Sequence, residues 1–425
     1  MQEKYKSMSN VPNYTTKVPN RGIFPKLRFK EYTGKWTETP FSDVGIFLKG
    51  KGISKDQLTE EGTRCILYGE LYTKYKNEII KEVFSKTSID PKGLVVSENN
   101  DVIIPSSGET AIDIATACCV NLDSVLLGGD LNIIRPHKDN GNFISYQLNG
   151  KRKQDIAKIA QGSSVTHLYN DSLKKLKIFL PEDRDEQDKI ATFLSLIDDQ
   201  IQTQNKIIEE LKVLKSSISK KIFSQQLRFK DDNGNNFPDW EVNILGELCK
   251  VYDGTHQTPN YVDNGIPFFS VEHLTANQFN KTKYISEKVY EKENKKVKLE
   301  KGDILMTKIG SIGVAKYINW DVKASFYVSL ALIKKSIEID NEYLCHFINT
   351  DFFQSELWKR TIHVAFPQKI NLGEISECLV KIPALLEQTK IANFLSSIDE
   401  KIEVEILLLN QLQSQKQYLL SNLFI

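Results

Sequence analysis

Across 425 residues, 40% are hydrophobic and 26% charged, and 56 Lys+Arg against 55 Asp+Glu leave a formal net charge of +1. That composition suits two or three globular domains and excludes a strongly basic nucleic-acid binder, so any phosphate contact must come from local cations or from a partner. The opening MQEKYKSMSNVPNY lacks an apolar core, no apolar run reaches membrane-spanning length, and the six cysteines form no C-x-x-C pair; the expectation is a cytoplasmic protein with no signal peptide, membrane span, disulfide framework or zinc site.

In chain order, residues 1–24 read as an N-terminal tail. Residues 25–181 follow as a first globular domain, opening on LRFK (27–30) and Trp36. Within it the β-branched segments VIIPS (102–106) and LNIIR (131–135) predict strands. Residues 182–226 predict a long helix: Pro181 is followed by Glu182, Asp183, Asp185 and Glu186, and acids in a first turn suit the helix macrodipole. A second globular domain spans 227–383. It opens on LRFK again (227–230) and Trp240, with strands expected at ILMT (304–307) and LALIK (330–334). Residues 384–425 close the chain as a second long helix after Pro383.

The chain is a tandem repeat. EQDKIATFLSLIDDQI (186–201) and EQTKIANFLSSIDEKI (387–402) agree at eleven of sixteen positions, at an offset of 201. A 4-3-4-3 spacing then selects Ile190, Leu194, Ile197, Ile201, Gln204, Ile208, Leu211, Lys215, Ile218 and Ile222. In the second copy it selects Ile391, Leu395, Ile398, Ile402, Glu405, Leu409, Leu412, Lys416, Leu419 and Leu423. Sustained apolar heptads of this kind predict a coiled-coil seam. About 33 residues per helix give roughly 50 Å. The simplest partner for each seam is the other copy, antiparallel, with a pseudo-two-fold axis; heptad position then pairs Lys215 with Glu405 and Lys416 with Gln204. The globular halves align more loosely, EEGTRCILYGEL (60–71) with DNGIPFFSVEHL (263–274) and NDVIIPSSGE (100–109) with GDILMTKIGS (302–311). The fold class expected is mixed α/β: two recognition domains, each a twisted sheet with helices, joined by two long helices. Shared frameworks with divergent loops suggest two sites of different specificity.

Catalytic motifs are incomplete. GIFLKGKG (45–52) imitates a phosphate loop, but Gly52 stands where Ser or Thr should hold magnesium, and a Lys-bearing loop is the better reading. The chain contains no Pro-Pro and no H-E-x-x-H. An adenine-methyltransferase motif and a zinc-peptidase motif are therefore missing.

LRFK…W, YDGTHQTPNYVDNGIPFFSVEHL (252–274), KGDILMTKIGSIG (301–313) and the repeated EQxKIAxFLSxID resemble the specificity subunit of type I restriction–modification enzymes. The resemblance covers nearly the whole chain and is closer in the second half. It implies a non-catalytic subunit whose two target recognition domains each read half of a bipartite DNA site. It implies that the repeated helices space those domains and dock two methyltransferase subunits. It also implies association with restriction/translocase subunits, with S-adenosylmethionine, ATP and magnesium held by the partners. The competing reading is a coiled-coil scaffold whose end domains bind protein or another ligand.

Base edges call for Arg, Lys, Asn, Gln, Ser or Thr on exposed loops beside a sheet. The candidates in the first domain are Lys49, Lys51, Ser54, Lys55, Arg64, Tyr68, Ser106, Ser107 and Thr110. In the second they are Thr255, His256, Gln257, Thr258, Tyr261, His273, Lys308 and Ser311. The lysine-rich run at 281–301 alternates with glutamates and reads as a solvated helix face.

Overall fold

The computed structural model describes residues 23–75, 77–162, 165–295 and 297–425; nearly all of the N-terminal tail lies outside these. Two compact units emerge, residues up to 206 with 406–425, and residues 207–405.

Each unit is built on the same two sheets. In the first, Asp101–Pro105 and Leu131–Pro136 pair antiparallel inside a five-stranded sheet, flanked by Gly45–Lys49 on one side and by Cys118–Val120 and Ile79–Ile80 on the other. Their apolar runs are buried on both faces, which suits central strands. In the second unit, Ile304–Thr307 and Leu330–Ile333 do the same between Ala315–Tyr317 and Val251–Asp253. All four expected strands are therefore present. The accessory sheets also correspond: Thr63–Ile66 runs parallel to Leu126–Leu127, and Ile266–Phe269 runs parallel to Ser325–Phe326. The phosphate-loop mimic is corrected here. Its first five residues form the strand Gly45–Lys49 and not a loop. A Cβ on Gly50 would lie 1.9 Å from the Gly128 carbonyl oxygen, and one on Gly254, after the matching strand of the second unit, 2.5 Å from that of Tyr327. These glycines permit close backbone approach and make no phosphate cradle.

The repeated sequence motifs meet in space within each unit. Arg28 donates from Nε and Nη2 to Glu186 at 2.7 and 2.6 Å, and Trp36 Nε1 donates to the same carboxylate at 3.2 Å. In the second unit Arg228 and Trp240 hold Glu387 at 3.2, 2.8 and 3.1 Å. The LRFK…W segment thus fastens the first turn of the long helix that leaves its own domain. The next residue repeats as well: Gln187 accepts the Asn140 N–H and Gln388 accepts the Asp340 N–H, each at 2.8 Å. Asn140 and Asp340 are the N-caps of helices Gly141–Asn149 and Asn341–Ile348.

The long helices run Arg184–Phe223 and Leu385–Asn422, 40 and 38 residues. They reach about 60 Å at 1.5 Å per residue, longer than expected, because they begin within the acidic turn and run on to the apolar ends of the chain segments. Every expected seam position is buried or half-buried. In the first unit Ile190, Leu194 and Ile197 share a core with Leu419, Leu423 and Phe424. In the second, Ile222 and Phe223 share one with Ile391, Ala392 and Leu395.

The expected lysine partners are wrong. Lys215 Nζ lies 2.6 Å from both carboxylate oxygens of Asp399, and Lys416 Nζ lies 2.6 Å from Asp198 and 2.5 Å from Glu78. Asp198 and Asp399 are equivalent positions of the repeat, each directly after a seam isoleucine. A partly buried ammonium needs a full carboxylate. Gln204 offers only an amide, and Glu405 pairs with Lys401 of its own helix at 2.5 Å. Around Lys416, Tyr146 donates to Asp198 at 2.6 Å. Burial works against the Lys416 charge, but Glu78 and Asp198 outweigh it and hold its pKa above the ordinary value.

Near Lys215, His346 bonds Ser396 through Nε2 at 3.0 Å. Burial and then the Lys215 ammonium push this imidazole down to about 4, with Asp399 opposing. The unfolded chain takes up the proton near pH 6.5, so the folded form prefers the neutral ring. Stability that is complete above about pH 6.5 should be lost as pH falls from there towards 4, by roughly 3 kcal/mol. Denaturant titrations across that interval should show the loss, and His346→Gln should flatten it; an unchanged pH dependence in the variant would contradict the assignment.

Candidate nucleic-acid interface

In the first unit the candidates fall into two groups. Lys49 ends its strand, exposed, and Lys51 donates its N–H to Leu127 O at 3.2 Å. Exposed Arg64 lies in the strand Thr63–Ile66, which pairs with Leu126–Leu127, and half-buried Tyr68 follows that strand, so Lys51, Arg64 and Tyr68 lie close along the chain segments around Leu126–Leu127. Exposed Ser54 and Lys55 continue from Lys51, where Ser54 forms a capping box with Gln57. Thr110 is exposed but caps helix Ala111–Ile114 by accepting the Asp113 N–H at 3.1 Å.

Five candidates are corrected, because they are buried and not on exposed loops. Ser106 and Ser107 are 5% and 7% exposed. The Ser106 N–H bonds Asp130 O, and Ser107 pairs with His167 in a two-stranded ladder. Thr255 lies in backbone hydrogen bonds to Phe326 and Val328. Lys308 is clamped to Asp253 at 3.1 Å, with its main chain bonded to Ser329 and Ile370. His273 Nδ1 accepts the Ser270 N–H at 2.9 Å, while Glu70 accepts the Leu67 N–H at 3.0 Å at the matching turn of the first unit. His273 and Glu70 therefore do one structural job in two chemistries.

The second unit holds a pocket of about 540 Å³ on its accessory sheet. Tyr261, His273 and Ser311 from the candidate set line it, together with Glu272, Lys283 and Tyr327. Tyr261 is exposed and packs edge-on against Phe268, with Lys283 Nζ 4.8 Å from its ring centroid. Partial burial raises the pKa of the Tyr261 hydroxyl above its ordinary value. Thr258 Oγ1 lies 3.3 Å from the Tyr327 hydroxyl. Gln257 and His256 stand exposed on the same segment, His256 3.0 Å from Asp253. The pocket combines donors, acceptors and aromatic faces, the equipment for base edges and phosphates.

Sequence reasoning missed Glu272, Lys283 and Tyr327. The run 281–301 was expected to be one helix face, but Lys283–Ile285 is a strand and, among the run's described residues, only Glu287–Glu293 is helical. The signal available was the KYI alternation inside a lysine-rich stretch. Among the described residues, no group of three His, Cys, Asp or Glu could hold a metal ion, and no helix is long and apolar enough to cross a membrane. The six cysteines are all buried and free. Burial pushes the Cys249, Cys345 and Cys378 thiols up to about 12, far from a nucleophile's range.

A duplicated scaffold whose variable loops carry polar and aromatic groups defines a double recognition protein. The model of the type I restriction modification DNA specificity domain matches it twice, over residues 33–213 and 238–414. The chain is 27% identical over 423 residues to the type I restriction enzyme MjaVIII specificity subunit of Methanocaldococcus jannaschii, covering 94% of this chain and 95% of that one. It is 32% identical over 158 residues to the MjaIX specificity subunit of the same organism, covering 34% and 36%. The fold matches the crystal structure of the type I S subunit from M. genitalium, with a TM-score of 0.64 at 18% identity over 95% of this chain and 99% of that one. A chain from a structure of type I R-M complex assembly gives 0.54 at 16% identity over 92% and 98%. The chain belongs to the type I restriction–modification DNA specificity family. It is a non-catalytic DNA-recognition subunit, and its two matched domains fit a bipartite site.

Proposed function

We propose that the site is non-palindromic, and that the long helices pair antiparallel as a coiled coil that sets the spacer and docks two methyltransferase subunits. The observation that carries the first part is the pocket. Tyr261, Ser311, Glu272 and Lys283 gather around it in the second domain, whereas the first presents the exposed cations Lys49, Lys51, Lys55 and Arg64 with half-buried Tyr68. Different chemistry reads different bases. The helix pairing is supported by the shared cores within each unit and by the equivalent ion pairs Lys215–Asp399 and Lys416–Asp198. The assembled complex acts in the cytoplasm. Restriction/translocase subunits join it, and S-adenosylmethionine, ATP and magnesium bind the partner subunits.

The test is a domain exchange. Replacing residues 25–180 with the first domain of another family member should change one half-site and leave the other intact, as read by methylation-aware sequencing of cells expressing the complex. A change in both halves would sink the two-module reading.

A further inference from the structure

The hairpin at 361–370 stands out because its tip is apolar and bare. Val364 is 97% exposed and Phe366 103%. Large hydrophobes lack such complete exposure without a reason when two of them share one tip. The tip is held rigidly from below. Ile362 and Lys369 close the hairpin through a backbone bond of 2.8 Å, and Gly310 donates to Gln368 O at 2.8 Å. His363 bonds Trp358 O at 2.9 Å, and its ring lies 4.8 Å from the indole. The stem therefore hydrogen-bonds the segment whose next residue, Ser311, lines the reading pocket.

The electrostatics of the segment favour an anionic surface. From Trp358 to Asn371 the chain carries Lys359, Arg360, His363 and Lys369 and no acid. Glu356 neutralises only part of this, pairing with both Lys359 and Arg360. In the first domain a matching bridge joins Gln161 to His167, and His167 likewise pairs with Ser107 beyond Ser106. Between Gln161 and His167 the sequence reads Gly-Ser-Ser-Val-Thr, whereas Val364-Ala365-Phe366-Pro367 lies between Ile362 and Lys369 in the second. One member of a duplicated pair has acquired an apolar tip on a cationic stem.

We propose that Phe366, with Val364 beside it, is a wedge that enters double-stranded DNA next to the second half-site and unstacks one base step. Apolar wedges flanked by cations serve this purpose in proteins that kink the duplex. The role rests on the DNA-recognition reading and adds to it a contact insensitive to hydrogen-bond pattern. It also makes the two halves of the complex unequal, since residues 161–167 of the first domain include no aromatic residue other than His167.

The experiment uses the full chain assembled with its methyltransferase subunits, and a duplex carrying the site identified by methylation-aware sequencing. Phe366→Ala should co-elute with the methyltransferase subunits as wild type does, yet raise the Kd for the duplex roughly tenfold or more. Phe366→Trp should restore binding. Permanganate should report a hyperreactive thymine beside the second half-site with wild type and with Phe366→Trp, and none with Phe366→Ala. Equal duplex affinity for Phe366→Ala and wild type would overturn the wedge, as would loss of co-elution, which would mark the tip as a protein contact. No binding by the wild-type complex would overturn the recognition reading itself, and the wedge with it.

Discussion

Arg28→Ala should cost the first unit about 3–5 kcal/mol, the usual penalty for leaving a buried charge without its partner. Arg28 and Glu186 are 3% and 1% exposed, and the pair is bidentate. Removing the guanidinium leaves Glu186, among the described residues, with the Trp36 N–H and no counter-charge. Glu186 lies in the first turn of the long helix, so helix and domain should loosen together. The matching change, Arg228→Ala, should cost less, because Arg228 is 22% exposed against 3% for Arg28, so the space it vacates opens to water beside the buried Glu387. Chemical unfolding of the two variants measures both. A loss below about 1 kcal/mol for Arg28→Ala would mean that the pair orients the helix without stabilising it, and equal losses would mean that exposure of the arginine does not set the cost.

That pair also shows what could be read from the chain alone. LRFK…W and the EQ dipeptide were visible as repeats, and so were the heptads and all four central strands. Each rests on short-range patterning: period two for strands, three and four for helices. What connects them did not show, because a contact between Arg28 and Glu186 spans 158 residues and leaves no local trace. The seam lysines failed for a related reason. Heptad position assigns a side chain to a face but does not say how far a long one reaches, so Lys215 and Lys416 found carboxylates beside the seam instead of polar groups on it. The candidate readers failed where residue type stood in for exposure. Ser106, Ser107, Thr255, His273 and Lys308 have the right chemistry, but turns and sheet ladders consume it. Lys283 was hidden by composition: a strand inside a lysine- and glutamate-rich run looks like a solvated helix.

Removing one heptad from both long helices, Gln204–Glu210 and Glu405–Gln411, should abolish binding to the original site and shift any new site to a shorter spacer. The two deletions are equivalent in the repeat, so an antiparallel pair keeps its seam in phase. The ion pairs Lys215–Asp399 and Lys416–Asp198 each lie within one unit, and both survive the cut. The helices shorten by roughly 10 Å, about three base pairs of rise at 3.4 Å each. Three base pairs also rotate one half-site by about a third of a turn relative to the other, given 10–10.5 base pairs per turn. A seven-residue cut turns a heptad seam very little, so the protein cannot follow that rotation by its own twist. Either the duplex bends and twists to meet the shortened pair, at a cost of several kcal/mol, or binding fails altogether. Both outcomes leave the half-site bases unchanged, because no reading residue has been touched. Methylation-aware sequencing of cells expressing the doubly deleted subunit decides the matter. Recovery of the original spacer with altered half-site bases would refute the spacing role of the helices and move specificity into them.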